Sequence, residues 1–472
     1  MASSQSPSSP FDLVVLGAGS GGYACALRAA QLGLSVALVE KDLVGGTCLH
    51  RGCIPTKAIL HAAEVADAAR EGSQFGIHAT IDKIDLAGVQ SYSDQVVSRL
   101  YKGLSGLVRS RGITVITGAG RLIVADDGQS AIQVGEDVVR ASHVVLASGS
   151  YARTLPGVEV DGERILTSDH ALKLDQLPTS AIVLGGGVIG VEFASAWRSF
   201  GVEVTVVEAL PRLVPNEEPE VSKALERAFR KRKITAVTGT PMRACERTDA
   251  GVRLTLEDGR ELEADLVLVA VGRGPSTEGL GYAEAGVQLD RGFVTVDERL
   301  QTTRPGVYAV GDIVFGLQLA HRGFAHGIFV AEEIASGLGR SATTPVPVAD
   351  VEIPRVTYCD PEIASVGLSE EAARAAYGEV ETLTYDLGGN GKSQILRTQG
   401  FVKLVRRSDG PVVGVHMIGA RVGELIGEAQ LITSWDAFPS DVASLPHAHP
   451  TQNEALGEAH LALAGKPLHT HG

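Results

Sequence analysis

The sequence predicts an α/β protein: two Rossmann-like dinucleotide-binding domains followed by a C-terminal α+β domain. Three observations carry this. One plan of strand, glycines, helix, strand and acid occurs twice. Periodicity then lapses over Ser341 to Val348, where Pro345 and Pro347 fall. Beyond that lapse, β-branched runs alternate with helical patterns.

The first copy opens with the apolar run Asp12 to Leu16, followed at once by Gly17-x-Gly19-x-x-Gly22 and a helix-compatible stretch. A second β-branched run, Ser35 to Val39, ends on Glu40, 23 residues beyond Gly17. The second copy repeats this with Ala181 to Leu184, Gly185-x-Gly187-x-x-Gly190 and Val202 to Val207. It ends on Glu208, the same 23 residues beyond Gly185. The first glycine of such a triplet permits a tight turn, the second lets backbone approach a pyrophosphate, and the third lets helix pack on strand. Helix N–H groups then face the phosphates, and a carboxylate at the end of the second strand accepts from ribose hydroxyls and repels a 2′-phosphate. Two dinucleotides are implied, of the NAD or FAD type.

Each unit closes on a buried-strand run ending in small residues. These are His143 to Gly149, with Ser148 and Gly149 at its end, and Leu266 to Gly272. Thr303 to Asp312 reads as an extended strand whose terminal Asp312 either hydrogen-bonds a ligand hydroxyl or caps a helix. Gly120 and Ala320 complete the set expected at a cofactor. After the proline-marked boundary, runs at Arg355 to Tyr358, Phe401 to Arg406 and Val412 to Ile418 mix with helical patterns at Ser369 to Tyr377 and Val422 to Thr433. That is the pattern of a sheet with helices to one side.

Composition narrows the class. Forty-two basic against 56 acidic residues leave a net charge of −14, a field that attracts neither nucleic acid nor anionic lipid. No apolar run approaches the ~18 residues of a membrane helix. Met1 to Pro10 is Ser/Pro-rich without the features of a signal peptide and reads as a frayed tail, so the cytoplasm is expected. The basic stretch Lys223 to Lys233 reads as the solvated face of a helix.

Five cysteines are too few for a disulfide scaffold, and only Cys48 and Cys53 lie close together, just after the first acidic residue. A regular helix holds α-carbons five apart at roughly 8–9 Å, beyond the ~7 Å limit for a bridge, so the segment must bend to form one. Gly52 and Pro55 make the bend, with a helix running on from Pro55. A dithiol cycle also needs a proton acceptor. His447 and His449 stand level as candidates, and Glu454 lies behind them to orient an imidazole.

These features, in this order, resemble the flavoprotein pyridine nucleotide-disulfide oxidoreductases, nearest their dihydrolipoamide-oxidising members, from about Phe11 to Ala464. The resemblance implies FAD on the first unit and NAD on the second. The domains are then 1–150 and 276–347 for FAD, 151–275 for NAD and 348–472 for homodimerisation. It implies a redox disulfide between Cys48 and Cys53, with Cys53 nearer the flavin. His449, oriented by Glu454 and supplied by the partner subunit, becomes the base. Asp312 meets the ribityl chain, and Lys57 sits near the flavin nitrogen with Glu192 as its acidic partner. The implied reaction is oxidation of dihydrolipoamide carried by the acyltransferase of a 2-oxo acid dehydrogenase complex, with NAD reduced.

Other readings remain in view: a reductase of another small disulfide or a quinone fed by NAD(P)H, or a silent flavin-binding scaffold. Glu208-Ala-Leu-Pro211 favours NAD where relatives of the glutathione type carry basic residues, although Arg212 offers a contact to a 2′-phosphate. No cysteine follows Cys359, which excludes a mercuric reductase. His50-Arg51 replaces the usual Asn-Val between the cysteines, and its added positive charge is expected to tune the pair. No role is carried onto the Leu387 to Leu396 loop.

Overall fold

A computed structural model describes residues 11–469. The Met1 to Pro10 segment lies outside the described residues. In chain order, the first elements that build the sites are strand β1 (Phe11–Leu16), helix α1 (Ser20–Gln31), β2 (Val36–Glu40), α2 (Gly46–Arg51), α3 (Cys53–Glu71), β3 (Thr114–Thr117) and β4 (Asp137–Leu146). Next come β5 (Ser180–Leu184), α4 (Val188–Ser199), β6 (Glu203–Glu208), β7 (Thr235–Thr238) and β8 (Leu266–Val269). The last part supplies β9 (Val307–Ala309), α5 (Ala320–Gly337), β10 (Glu362–Gly367), β11 (Val380–Asp386), α6 (Gly391–Leu396), β12 (Phe401–Arg407), β13 (Val412–Gly419), α7 (Val422–Ser434) and α8 (Glu454–Leu463). The chain forms two compact units. One takes residues 11–56 with 91–152 and 273–350, the other takes 57–90, 153–272 and 351–469.

In the first unit, β3, β2, β1, β4 and β9 lie side by side, all parallel. Their apolar runs are continuous, and Leu13, Val14, Val15, Leu38, Val39 and Val145 are fully buried, as befits parallel strands covered on both faces. The strand order reverses at β1, so the carboxyl end of β1 is a topological switch point, where open α/β sheets bind ligands. Helices α1 and α5 cross closely because three glycines line the contact. A Cβ on Gly327 would sit 2.2 Å from the Gly21 carbonyl oxygen and one on Gly323 3.2 Å from the Gly21 nitrogen. Sequence reasoning missed these three; the signal was the glycine spacing at 323 and 327.

In the second unit the parallel order recurs as β7, β6, β5, β8, with the short Ile165–Leu166 strand beside β8. The same unit holds a five-stranded antiparallel sheet, ordered Arg355–Thr357, β10, β13, β12, β11. Side chains alternate along its strands. Ala364, Val366, Val402, Leu404, Val415 and Met417 pack against α7 and α8 on one face. Val405, on the other face, packs against Ala373 of the Glu370–Tyr377 helix. The expectation of helices on one side is therefore corrected: the two longer helices share a face and the Glu370–Tyr377 helix takes the opposite one. That opposite face is partly polar. Lys403, almost fully buried, places Nζ 2.6 Å from Glu218, 2.9 Å from Glu370 and 3.1 Å from Glu220. Burial alone would lower its pKa, but the three carboxylates win and raise it.

Candidate active site

The two glycine loops have matching geometry. Gly17 and Gly185 take φ of +101° and +115°, and a Cβ on either would lie 2.3 Å from a carbonyl oxygen of the neighbouring strand's end, Ala147 or Ala270. The third glycines are equally forced, since a Cβ on Gly22 would sit 1.8 Å from the Gly17 oxygen and one on Gly190 1.9 Å from that of Gly185. The second glycines differ. At Gly19 and Gly187 a Cβ would meet nothing within 4 Å, and both have ordinary extended backbone at the N-caps of their helices. No packing within the fold demands glycine there; close approach of a ligand to helix N–H groups does. This is the fit expected of a pyrophosphate cradle.

Each acid braces its own loop. Glu40 accepts from the Ala18 N–H at 2.7 Å and from the Asp42 N–H at 2.9 Å. Glu208 accepts from the Gly186 and Leu210 N–H groups, both at 2.7 Å. Arg212 donates to the Pro215 carbonyl at 2.6 Å, so the one cation suggested as a 2′-phosphate contact is bound to its own turn.

The cysteine segment is seated on the first cradle. The Gly45 N–H donates to the Ala18 carbonyl at 2.8 Å, and Gly46 lies so close to Gly19 that a Cβ would stand 2.6 Å from its α-carbon. Helix α2, carrying Cys48, ends at Arg51. Gly52 then leaves helical geometry at φ −145°, ψ −111°, and α3 begins with Cys53. The bend predicted between the cysteines is present, with the second helix starting two residues before Pro55. The Thr56 hydroxyl and N–H both donate to the Gly52 carbonyl, at 2.6 and 3.1 Å, and this holds the break in place. Cys48 and Cys53 are both half-buried. Tyr23 of α1 lies near both: burial first, then the charge on either thiolate, pushes its hydroxyl up to about 12. The charge expected from His50-Arg51 is largely spent elsewhere. Arg51 pairs with Asp42 at 2.6 Å, and His50 engages the Val44 carbonyl at 3.0 Å and the edge of the Tyr101 ring.

Asp312 lies in a single 3-10 turn, Gly311–Ile313, whose N-cap is Val310, so it does not cap a helix. Its carboxylate accepts from the Ser150 hydroxyl at 2.5 Å. Arg273 in turn donates to the Ser150 hydroxyl and carbonyl, both at 2.7 Å. Ser150 and Arg273 were not among the sequence candidates; each stands one residue past a strand-ending glycine, Gly149 or Gly272. Ser148 is committed to the fold, donating to the Ser276 carbonyl at 2.6 Å with the Tyr282 hydroxyl 2.8 Å away. Gly120 opens the Gly120–Val124 strand, where a Cβ would collide with Leu16, Val39 and Ile132, so packing accounts for it. Ala320 is the first residue of α5.

In the second unit, Lys57 Nζ contacts both oxygens of the nearly buried Glu192, at 2.9 and 2.8 Å. The Tyr358 N–H donates to the same carboxylate at 2.9 Å, and its ring lies 4.7 Å from Nζ. Glu192 comes from α4, just past Gly190, so the acid is anchored by the second cradle's own helix.

The two histidines left level by sequence part company here. His447 is mostly buried, 2.8 Å from Glu428, and that carboxylate raises its pKa. His449 is 75% exposed, with Nδ1 2.8 Å from Glu454 Oε1. The other oxygen of Glu454 accepts from the Thr451 N–H at 2.7 Å. Burial pushes the Glu454 carboxyl up, but the Thr451 N–H and His449 outweigh it and hold it low. A carboxylate fixed at both oxygens orients one imidazole nitrogen and leaves Nε2 facing outward, the arrangement of a base that meets an incoming substrate.

Residues 11–327 match the pyridine nucleotide-disulphide oxidoreductases and residues 353–460 their dimerisation domain, so the chain belongs to the pyridine nucleotide-disulphide oxidoreductase family. The dihydrolipoyl dehydrogenase of Bacillus subtilis (strain 168) is 40% identical over 475 residues, covering 97% of this chain and 99% of the relative. That of Chlorobaculum parvum is also 40% identical, covering 98% and 99%. Among solved structures, LpdA from Mycobacterium tuberculosis superposes with a TM-score of 0.86 at 29% identity, covering 96% of this chain and 99% of that one. Among the described residues no helix is long and apolar enough to cross a membrane.

Proposed function

We propose that this chain is a homodimeric cytoplasmic enzyme that oxidises dihydrolipoamide on the acyltransferase of a 2-oxo acid dehydrogenase complex and reduces NAD. The observation that carries the reading is the seating of the Cys48 to Cys53 segment on the first dinucleotide cradle. Similarity to dihydrolipoyl dehydrogenases over almost the whole chain supports the choice of substrate. In this reading 1–150 and 276–347 hold FAD through Gly17, Gly19, Gly22, Glu40 and Asp312. Residues 151–275 hold NAD through Gly185, Gly187, Gly190 and Glu208. Residues 348–472 form the dimer interface. Bound FAD supplies a two-electron acceptor between the dithiol and NAD.

The steps follow from the chain's own groups. His449 of the partner subunit takes a proton from one substrate thiol through Nε2 while Glu454 holds Nδ1. The resulting thiolate attacks Cys48 Sγ, breaking the Cys48–Cys53 bond and leaving Cys53 as thiolate. The second substrate thiol then displaces Cys48, releasing cyclic lipoamide and leaving two electrons in the dithiol. Glu192, gripping Lys57 through both oxygens, fixes the position of the Lys57 ammonium on the helix that starts with Cys53. Glu208, braced at the ribose position, favours the coenzyme without a 2′-phosphate.

The test is anaerobic titration of the holoenzyme with dihydrolipoamide and then NAD, followed in the visible spectrum, beside Cys48→Ser. Loss of oxidised flavin colour with dihydrolipoamide and its return as NADH forms are expected, and Cys48→Ser abolishes both. Flavin that stays oxidised moves the substrate to another disulfide or a quinone. Full lipoamide turnover by Cys48→Ser overturns the mechanism.

A further inference from the structure

We propose that Asn390, Ser393 and Gln452 are positioning residues that hold the His449–Glu454 pair in register; this rests on the reading of His449 as the base. The Leu387 to Leu396 stretch, read from sequence as a loop, contains helix α6 and ends against the segment that carries the pair. Across residues 443–454 only Gln452 is buried. The stretch that bears the exposed imidazole is thus held by the mostly buried His447 on one side of it and by Gln452 on the other, and both anchors are polar. Gln452 Oε1 accepts from the fully buried Ser393 hydroxyl at 2.7 Å, and its Nε2 donates to the Ala420 carbonyl, just past β13, at 2.9 Å. Asn390, also buried, accepts the Ser393 N–H through Oδ1 at 2.9 Å and donates from Nδ2 to the Thr451 carbonyl at 3.0 Å.

Thr451 is the link. Its carbonyl is held by Asn390, its N–H by Glu454, and its hydroxyl donates to the Ala448 carbonyl at 2.7 Å. If Thr451 shifts, Glu454 loses the contact at Oε2 that sets the direction of Oε1 towards His449. Helix α6 also lies against the imidazole itself, since a Cβ on Gly391 would come within 3.9 Å of His449 Cε1. A leucine would bury at position 452 as readily as glutamine. Three buried polar side chains with matched partners supply direction as well as burial.

The test separates the two halves of the reaction in the flavin-loaded dimer. Asn390→Ala and Gln452→Leu are compared with the parent and with His449→Gln. One readout is the rate of enzyme reduction by dihydrolipoamide in rapid mixing. The other is steady-state transfer from NADH to ferricyanide, which needs no base at His449. We expect both positioning variants to slow the dihydrolipoamide step by about ten- to a hundredfold, the cost of a misplaced reacting group, while ferricyanide reduction stays at the parent rate. Equal slowing of both reactions, or of neither while His449→Gln is impaired, overturns the proposal and leaves the functional reading standing. A parent that dihydrolipoamide does not reduce, or a His449→Gln variant reduced at the parent rate, overturns the reading and the proposal together. Gln452→Leu keeps the side-chain volume and serves if Asn390→Ala does not fold.

Discussion

Two histidines two residues apart, each with its own glutamate, have different tasks because one is covered and the other is not. His447 packs over Gly457 of α8, where a Cβ would stand 2.4 Å from its Nδ1. Glu428, its partner, is also bonded by the Asn453 side chain. We expect Glu428→Gln to lower unfolding free energy by about 1–3 kcal/mol, the range for a disrupted buried hydrogen bond, with turnover of the folded fraction retained. Glu454→Gln should leave the denaturation midpoint close to that of the parent and cut dihydrolipoamide turnover by about tenfold or more. Urea titration and a lipoamide assay on the same preparations check both. The sequence exposed the residue types of this site but not their ranking. What ranks the histidines is a missing side chain at position 457, and local pattern carries no record of which ring that gap admits.

At the scale of elements, the repeated glycine plan was legible because strand, turn, helix and acid are contiguous and each has a fixed period. The bend between Cys48 and Cys53 was legible for the same reason, being set by Gly52 between them. The Asp312, Ser150, Arg273 chain was not, because its members are 123 and 162 residues apart and meet only when the Arg273–Pro275 strand has paired with Ser150–Ala152 and β9 has been placed beside β4. The side taken by the Glu370–Tyr377 helix was hidden likewise, since it depends on which face of β12 points where. The two glycine classes give a sharp test. Gly187→Ala has room for its methyl, so its melting temperature should match the parent while NADH affinity falls. Gly190→Ala drives a methyl into the Gly185 carbonyl and should destabilise the second unit by about 1–3 kcal/mol or more. Thermal melts and NADH binding titrations on both variants distinguish a glycine kept for ligand from one kept for packing.

For the molecule as a whole, acid is the condition that bears on both units. Burial pushes His326 in the first unit and His460 in the second down to about 4, with Arg322 adding to the effect at His326. One ring nitrogen of each has no hydrogen-bond partner. A histidine depressed on folding is protonated first in the unfolded chain, so its contribution is complete above pH 6.5 and is lost as pH falls towards 4. Each should remove roughly 3 kcal/mol across that window, at about 1.4 kcal/mol per pKa unit. Denaturant midpoints at pH 7 and pH 4.5 should differ markedly, and His460→Gln should flatten the dependence. The threading of the chain bears on biosynthesis as well. The ribosome finishes every strand of the second parallel sheet before it releases β9, the strand that completes the first. Of the two parallel sheets, the one begun first is thus closed last, and while residues 147–306 are being made the C-terminal end of β4 carries an unpaired edge. The nascent N-terminal half is therefore the stage most open to wrong partners and to chaperones, and a chain cut before Val307 leaves that first sheet without its final strand.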